Sequence, residues 1–143
     1  MVDVKDIMLG NFVKDRNGEI VVVGKVHRDS VADKWGGITF DDEIEGIEVT
    51  DELLERLGCT YEELLPFNPT WHEWCYSALA FHLRFDKEVC NFEGDRDWGV
   101  HIDNSRRMTI GFGCVKYVHE LQNLVRVITG HNLPITKDML EDV

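Results

Sequence analysis

Residues 116–133, KYVHELQNLVRVITGHNL, form the most regular stretch of the 143-residue chain, and the predicted fold depends on them. Apolar residues recur there at three- and four-residue intervals: Val118, Leu121, Leu124, Val125 and Ile128. This spacing gives an α-helix one apolar stripe, and Thr129-Gly130 is a typical helix end. A single helix that follows a run of strands packs across the sheet and closes its core. We therefore predict a helix with a structural role, carried by His119, Leu121, Asn123, Leu124, Ile128 and Gly130.

The same helix carries a polar row. His119, Asn123 and Arg126 are spaced i, i+4 and i+7, so they share one helical face. A histidine and an asparagine in this arrangement are able to bind a ligand. The alternative is that Asn123 hydrogen-bonds the backbone of an adjacent strand or loop and that His119 caps a carbonyl group. We favour this alternative, because a helix packed on a sheet usually uses such groups to satisfy buried backbone.

Ahead of the helix the pattern predicts an antiparallel meander. Over residues 77–86 the apolar period changes to two, which is typical of a half-buried strand. Further strands are predicted at 89–92, 98–102 and 108–112, with turns at 93–95 and 103–105.

The first fifty residues predict a small, strongly bent sheet. Arg16-Asn17-Gly18 is a turn signal, and the β-branched run at 20–23 reads as a strand, so residues 11–27 are expected to form a β-hairpin. Gly36-Gly37 marks another turn, followed by a short strand at 38–40. Several short strands in so few residues are typical of an SH3-like sheet.

A short acidic helix is expected to follow, over residues 51–58. Thr50 is its N-cap, Leu53, Leu54 and Leu57 form its buried face, and Gly58 ends it. Thr60 and Glu63 fit a capping box for one more helical turn before Pro66.

Together these elements predict an α+β fold: an N-terminal SH3-like bent sheet, a short acidic helix, and an antiparallel meander packed by one C-terminal helix. The chain has the length of one ordinary domain, 1–143, with a β-rich candidate subdomain at 1–48 and an α+β one at 49–143. The tail from Thr136 is expected to form one capped turn or to fray.

Three stretches resemble a known family. The segment YVHELQNLVRVITGHNL resembles the C-terminal helix of uncharacterised proteins from phages, conjugative elements and genomes of gut Bacteroidetes, which end close to Y-(V/L)-H-(Q/E)-L-Q-N-L-(Y/F)-x-A-L-T-G-x-E-L. LGNFV at 9–13 is similar to the family's opening I-G-N-x-V, and IEGIEVTDELLERLGC at 44–59 to its I-x-P-I-x-L-T-E-E-x-L-x-K-x-G-F. The chain departs from the pattern at 125–127, at Gly46, where proline is common, and in a longer Trp-rich insert at 66–76. The resemblance implies a phage or mobile-element setting and brings no known activity with it.

The charge is concentrated in one segment. The formal net charge is −12, and residues 41–63 hold ten acidic residues against Arg56 alone. Such a surface repels phosphate, so we expect no direct nucleic-acid binding, and it suits a basic protein partner, including a DNA-binding protein that it would meet as a DNA mimic. The residues predicted to bind that partner are Asp41, Asp42, Glu43, Glu45, Glu48, Trp71 and Trp74.

The Trp-rich segment at 68–77 has two interpretations. Trp71 and Trp74 either cover an edge of the core or form an exposed patch, and tryptophan is enriched in binding hot spots. His72 and Cys75 stand at i, i+3, which is half of a zinc site. No second pair has matching spacing, so we predict no metal and no cofactor.

An enzymatic alternative is a small hydrolase or metal-dependent enzyme that uses His72, His101 and Asp103. His101 and Asp103 lie two apart on one predicted strand, although an exposed histidine and an aspartate that starts an Asx-turn are commoner there. The sequence contains no nucleophile elbow, no H-E-x-x-H motif and no phosphate-binding glycine loop. We therefore favour a non-enzymatic protein.

The remaining expectations concern location and assembly. The apolar runs are too short for a membrane-spanning helix, and the N-terminus lacks the layout of a secretory signal. The cysteines are widely spaced, so we expect reduced thiols in a cytoplasmic protein: Cys59, Cys75, Cys90 and Cys114. An architectural subunit that forms a homo-oligomer is also compatible with the sequence.

Overall fold

The structure is a computed structural model that describes residues 2–63, 72–76, 81–86, 97–106 and 108–141, with the backbone alone described for 60–63 and 72–76. In this part of the chain, two antiparallel sheets and three α-helices form the predicted α+β fold. No helix of the described residues combines the length and apolar character that crossing a bilayer requires.

The first sheet has four strands in sequence order: β1 (Phe12–Lys14), β2 (Ile20–Val26), β3 (Ser30–Asp33) and β4 (Ile38–Phe40). The predicted hairpin is confirmed, with Val13 opposite Val21. Its turn is closed by the Asp15 carboxylate, which accepts hydrogen bonds from two backbone N–H groups, and by Gly18 at φ 76°. The sequence pattern did not predict β3 as a separate strand.

Helix α1 (Asp51–Arg56) begins as predicted, with Thr50 Oγ1 accepting a hydrogen bond from Leu53 N at 3.2 Å. Leu53 and Leu54 are fully buried, and Gly58 ends the helix at φ 91°. The additional helical turn expected at Thr60 and Glu63 is wrong, because these residues belong to β5 (Thr60–Glu63). Their ladder with β6, the strand His72–Tyr76, overrides the local capping signal.

The second sheet is the predicted meander. Its order is β5, β6 (His72–Tyr76), β7 (His82–Asp86), β8 (Trp98–Asp103) and β9 (Thr109–Val115). The sequence pattern missed β6 and placed β9 a few residues too early. Three predicted stretches lie outside the described residues: the strand at 89–92, the turn at 93–95, and residues 77–80 of the strand predicted at 77–86.

Helix α2 (Val118–Thr129) lies across the inner face of β9 and ends at Gly130, φ 74°, as predicted. Gly111 and Gly113 of β9 make the close approach possible. A Cβ on Gly111 would overlap Ile128, and one on Gly113 would stand 3.0 Å from Leu124. A short helix, α3 (Lys137–Leu140), follows the expected Thr136 N-cap.

Two apolar clusters result. The larger one joins α1, the meander and α2, and includes Leu53, Phe85, Val100 and Leu121. The smaller one lies under the N-terminal sheet and includes Val13, Val23, Val31 and Ile44.

Candidate functional site

Two polar side chains of α2, Gln122 and Asn123, form hydrogen bonds with the N-terminal loop. Asn123 accepts a hydrogen bond from Asn11 Nδ2 and donates one to Asp6 O, both at 2.8 Å. Gln122 Oε1 accepts from Phe12 N at 2.9 Å, and its Nε2 donates to Gly10 O at 3.2 Å. We call this set of contacts the α2 junction. The predicted structural role of Asn123 is confirmed, because its carboxamide satisfies backbone and a buried side chain.

Three stretches of the chain, 9–13, 44–59 and 117–133, meet at this part of the fold. Residues 9–13 and α2 are joined by the α2 junction, although more than 100 residues separate them in the chain. The stretch 44–59 contacts the start of α2, since Val118 N donates to Ile47 O at 2.7 Å. A Cβ on Gly46 would stand 2.5 Å from the Tyr117 ring, so a small residue lets the two segments approach. These three stretches therefore connect the two sheets.

A cavity of about 260 Å³ adjoins the α2 junction, lined by residues that include Leu9, Phe12, Asn132 and Ile135. Its polar walls are largely occupied by internal hydrogen bonds. Arg126 Nη1, for example, donates to Leu9 O at 3.3 Å. These bonds leave the cavity with few groups aimed at a ligand.

His119 does not cap a carbonyl as expected. Its side chain is only 2% exposed, and its Nδ1 has no hydrogen-bond partner in the described part of the chain. The ring stacks on Tyr117 at 5.7 Å between centroids. Burial lowers the pKa of His119 below its ordinary value of 6.5, and the carboxylates of Glu120 and Asp6 oppose that shift. His119 is thus a buried histidine of the core.

The acidic segment follows β4 directly. Asp41, Asp42 and Glu43 form a short 3-10 helix with its aspartates exposed. Beyond it, exposed Glu45 and Glu48 alternate with three buried apolar residues, Ile44, Ile47 and Val49. The buried residues fix this segment between β1 and the start of α2, so the carboxylates are held at the surface. We call Asp41, Asp42, Glu43, Glu45 and Glu48 the acidic face.

Exposed apolar residues lie on β4 and in the turn before it, and sequence reasoning missed them. Trp35 is 82% exposed, Ile38 54% and Phe40 50%. Trp35 lies in the β3–β4 turn with Lys34 Nζ 4.9 Å from its ring centre, and the other two lie on β4. Large apolar groups this exposed are uncommon in a cluster and often mark an interaction site. The available signal was the sequence WGGITF at 35–40, a turn followed by alternating large apolar residues.

The tryptophans predicted to bind a partner, Trp71 and Trp74, do not have described side chains. Trp71 lies outside the described residues, and so do the side chains of Trp74, His72 and Cys75. The backbone places Trp74 on β6, opposite Phe85.

The proposed catalytic residues have other contacts. Asp103 is 4% exposed, and its carboxylate accepts from Arg84 Nε at 2.7 Å and from Thr109 Oγ1 at 2.8 Å. The expectation that Asp103 starts an Asx-turn is wrong. The neighbouring Asn104 makes that turn instead, because Asp103 lies in the ladder while Asn104 follows it.

The sheet register does not bring the catalytic candidates together. His101 is two strands from β6 and lies in the same row as Cys75, three residues along from His72. At strand spacings of about 4.8 Å and about 3.3 Å per residue, the His72 and His101 backbones are roughly 14 Å apart. His101 contacts Phe112, with 4.8 Å between ring centroids.

The cysteine expectation needs one correction. Cys59 is a buried thiol, but Cys114 forms a disulfide bond, so not all four cysteines are reduced. Wide sequence spacing did not exclude this pairing, because strands of a meander bring distant residues together. Within the described ranges, no group of three or more His, Cys, Asp or Glu residues could hold a metal ion.

Comparison with known proteins adds no relative to these observations. The chain matches no protein-family model, no curated protein and no solved structure.

Proposed function

We propose that this protein is a non-enzymatic interaction module of a phage or other mobile element, and that its acidic face binds a basic protein partner. One observation carries the proposal: exposed Ile38 and Phe40 lie on β4, the strand that runs directly into the acidic face, and exposed Trp35 lies in the turn at the other end of that strand. Aromatic anchors next to a charged rim are the usual composition of a protein-binding surface.

The charge selects the class of partner. With a net charge of −12, the chain attracts basic proteins and repels acidic ones and nucleic acid. The mobile-element setting rests on the family resemblance of residues 9–13, 44–59 and 117–133.

The test is affinity capture from a bacterial lysate with three forms of the protein. The first is the wild type, and the second neutralises the acidic face by Asp41→Asn, Asp42→Asn, Glu43→Gln and Glu45→Gln. The third is a matched control that removes four exposed charges elsewhere: Glu19→Gln, Glu55→Gln, Asp138→Asn and Glu141→Gln. Both variants raise the net charge by the same amount.

We expect a basic protein to be captured by the wild type and the control and lost from the neutralised form. Added salt should weaken its capture, because exposed charges are screened. Equal capture by all three forms would contradict a role for the acidic face.

A further inference from the structure

The two edges of the four-stranded sheet differ. The β1 edge is closed by the chain itself. Phe12 N donates to Gln122 Oε1, and Lys14 exchanges two backbone hydrogen bonds with Glu45, at 2.9 and 3.1 Å. Strand β4 forms the other edge, and no strand in the described part of the chain pairs with it.

The register shows which backbone groups point outward from β4. Two hydrogen bonds flank the β3–β4 ladder, and each joins directly opposed residues: Asp33 N to Gly37 O and Asp41 N to Asp29 O, both 2.9 Å. Bonded and non-bonded pairs alternate along an antiparallel ladder, so Thr39, midway, is bonded to β3. Ile38 and Phe40 are then in non-bonded pairs, and their N–H and C=O groups point away from β3. Among the described residues, none donates to or accepts from these four groups.

An open edge with apolar side chains is a template for another strand. Proteins usually protect such an edge with charge, proline or a covering element. Here Ile38 and Phe40 are both about half exposed, and both lie on the edge itself. Backbone pairing along the edge supplies affinity for an added strand, and the side chains beside it supply selectivity.

Charge complementarity identifies the occupant. Asp41, Asp42 and Glu43 continue the chain directly from the edge, so a strand laid along β4 would have an end beside them. A second copy of this chain carries the same net charge of −12, which disfavours its approach to this edge.

We propose that β4 accepts an extended, lysine- or arginine-bearing segment of a partner protein as a fifth strand. The proposal rests on the proposed function and names the way in which the partner binds. The partner strand bonds the outward N–H and C=O groups of Ile38 and Phe40, covers their side chains with an apolar residue, and places a basic residue against the acidic face.

The position of Phe40 allows a selective variant. Its φ of −77° and ψ of 157° suit proline, and its N–H has no partner among the described residues. Phe40→Pro therefore removes the outward donor with the fold retained, while Phe40→Ala removes the same ring and keeps the donor. Comparison of the two isolates the backbone contribution.

The probe is a seven-residue peptide of alternating lysine and valine, with both ends blocked. Its control is the charge-matched peptide in which proline replaces each valine, which cannot pair as a strand. Titration into isotopically labelled protein measures the affinity, and amide hydrogen exchange reports on residues 38–40.

We expect the lysine–valine peptide to bind and to slow exchange at Ile38 and Phe40 but not at Thr39. Phe40→Pro should bind it about tenfold or more weakly than Phe40→Ala, which corresponds to at least one hydrogen bond. Equal binding of both peptides without protection at Ile38 and Phe40 would overturn strand addition and leave the acidic face as the binding surface. No binding of either peptide would also overturn it, because backbone pairing tolerates most sequences, and lysate capture would then decide the proposed function on its own.

Discussion

The α2 junction and the β4 edge both present polar backbone to their surroundings, but they satisfy it differently. At the α2 junction, side chains from one helix bond the loop that leads into β1, and Asn11 is buried with its amide bonded. At the β4 edge, the outward groups of Ile38 and Phe40 have no partner among the described residues, and the side chains beside them are exposed.

This difference separates structural polar residues from candidate binding groups. The row of His119, Asn123 and Arg126 invites a functional interpretation. However, Asn123 and Arg126 hydrogen-bond backbone carbonyls of the N-terminal loop, and the His119 ring is buried. The proposed interaction surface lies instead where the described fold leaves backbone and apolar groups uncovered. Three predictions test that separation.

Of the two regions compared, the α2 junction is expected to show the larger effect. Asn123→Ala removes two hydrogen bonds and leaves the Asn11 amide without its partner, so it should lower the free energy of unfolding by about 2–3 kcal/mol. Urea denaturation followed by circular dichroism measures the change. Val127→Ala on the same helix is the control, because Val127 is 74% exposed and its loss should cost less than about 0.5 kcal/mol. Equal effects of the two substitutions would mean that the hydrogen bonds of the α2 junction add no more to the free energy of unfolding than an exposed side chain does.

The second effect is a dependence of stability on pH that arises at His119. Because burial lowers the folded-state pKa of His119, the unfolded chain binds the proton more readily once the pH falls below about 6.5. Stability is therefore fully present above that pH and declines as the pH falls toward the folded-state pKa. The slope for one proton cannot exceed about 1.4 kcal/mol per pH unit.

Unfolding free energies of the wild type and His119→Gln, measured between pH 7.5 and 5, check this prediction. The variant should lose the decline that the imidazole causes, whereas Val127→Ala, at an exposed residue without a titratable group, should keep the wild-type profile. A parallel decline in all three proteins would assign the pH dependence to other groups.

Local patterns were enough to predict the elements whose signals lie within a few residues. The stripe of α2, the Thr50 cap of α1 and the Asn17-Gly18 turn all appear where the sequence places them. Strand β5 was missed for the opposite reason: Thr60 and Glu63 carry a helix signal, and only their pairing with β6 makes them a strand.

The site was less predictable, since it depends on which strand ends the sheet. The exposure of Asp41 and Asp42 follows from their charge alone. The open edge does not, because nothing in WGGITF shows that β4 has a neighbour on one side only. In the same way, the register of β8 against β7 places Asp103 opposite His82, where its carboxylate reaches Arg84 two residues along, and this contact is invisible to a local motif.

The smallest effect is expected at the β4 edge itself, where the same substitution has a buried counterpart close by. Ile38→Ala should cost less than about 1 kcal/mol of unfolding free energy, because the side chain is already 54% exposed. Ile44→Ala should cost about 2–5 kcal/mol, because Ile44 is fully buried in the smaller cluster. Both values come from the same urea experiment. Since the chemical change is identical, the difference between the two losses measures how far the chain covers each position. A loss at Ile38 as large as that at Ile44 would mean that the β4 edge is already covered and unable to receive a partner strand.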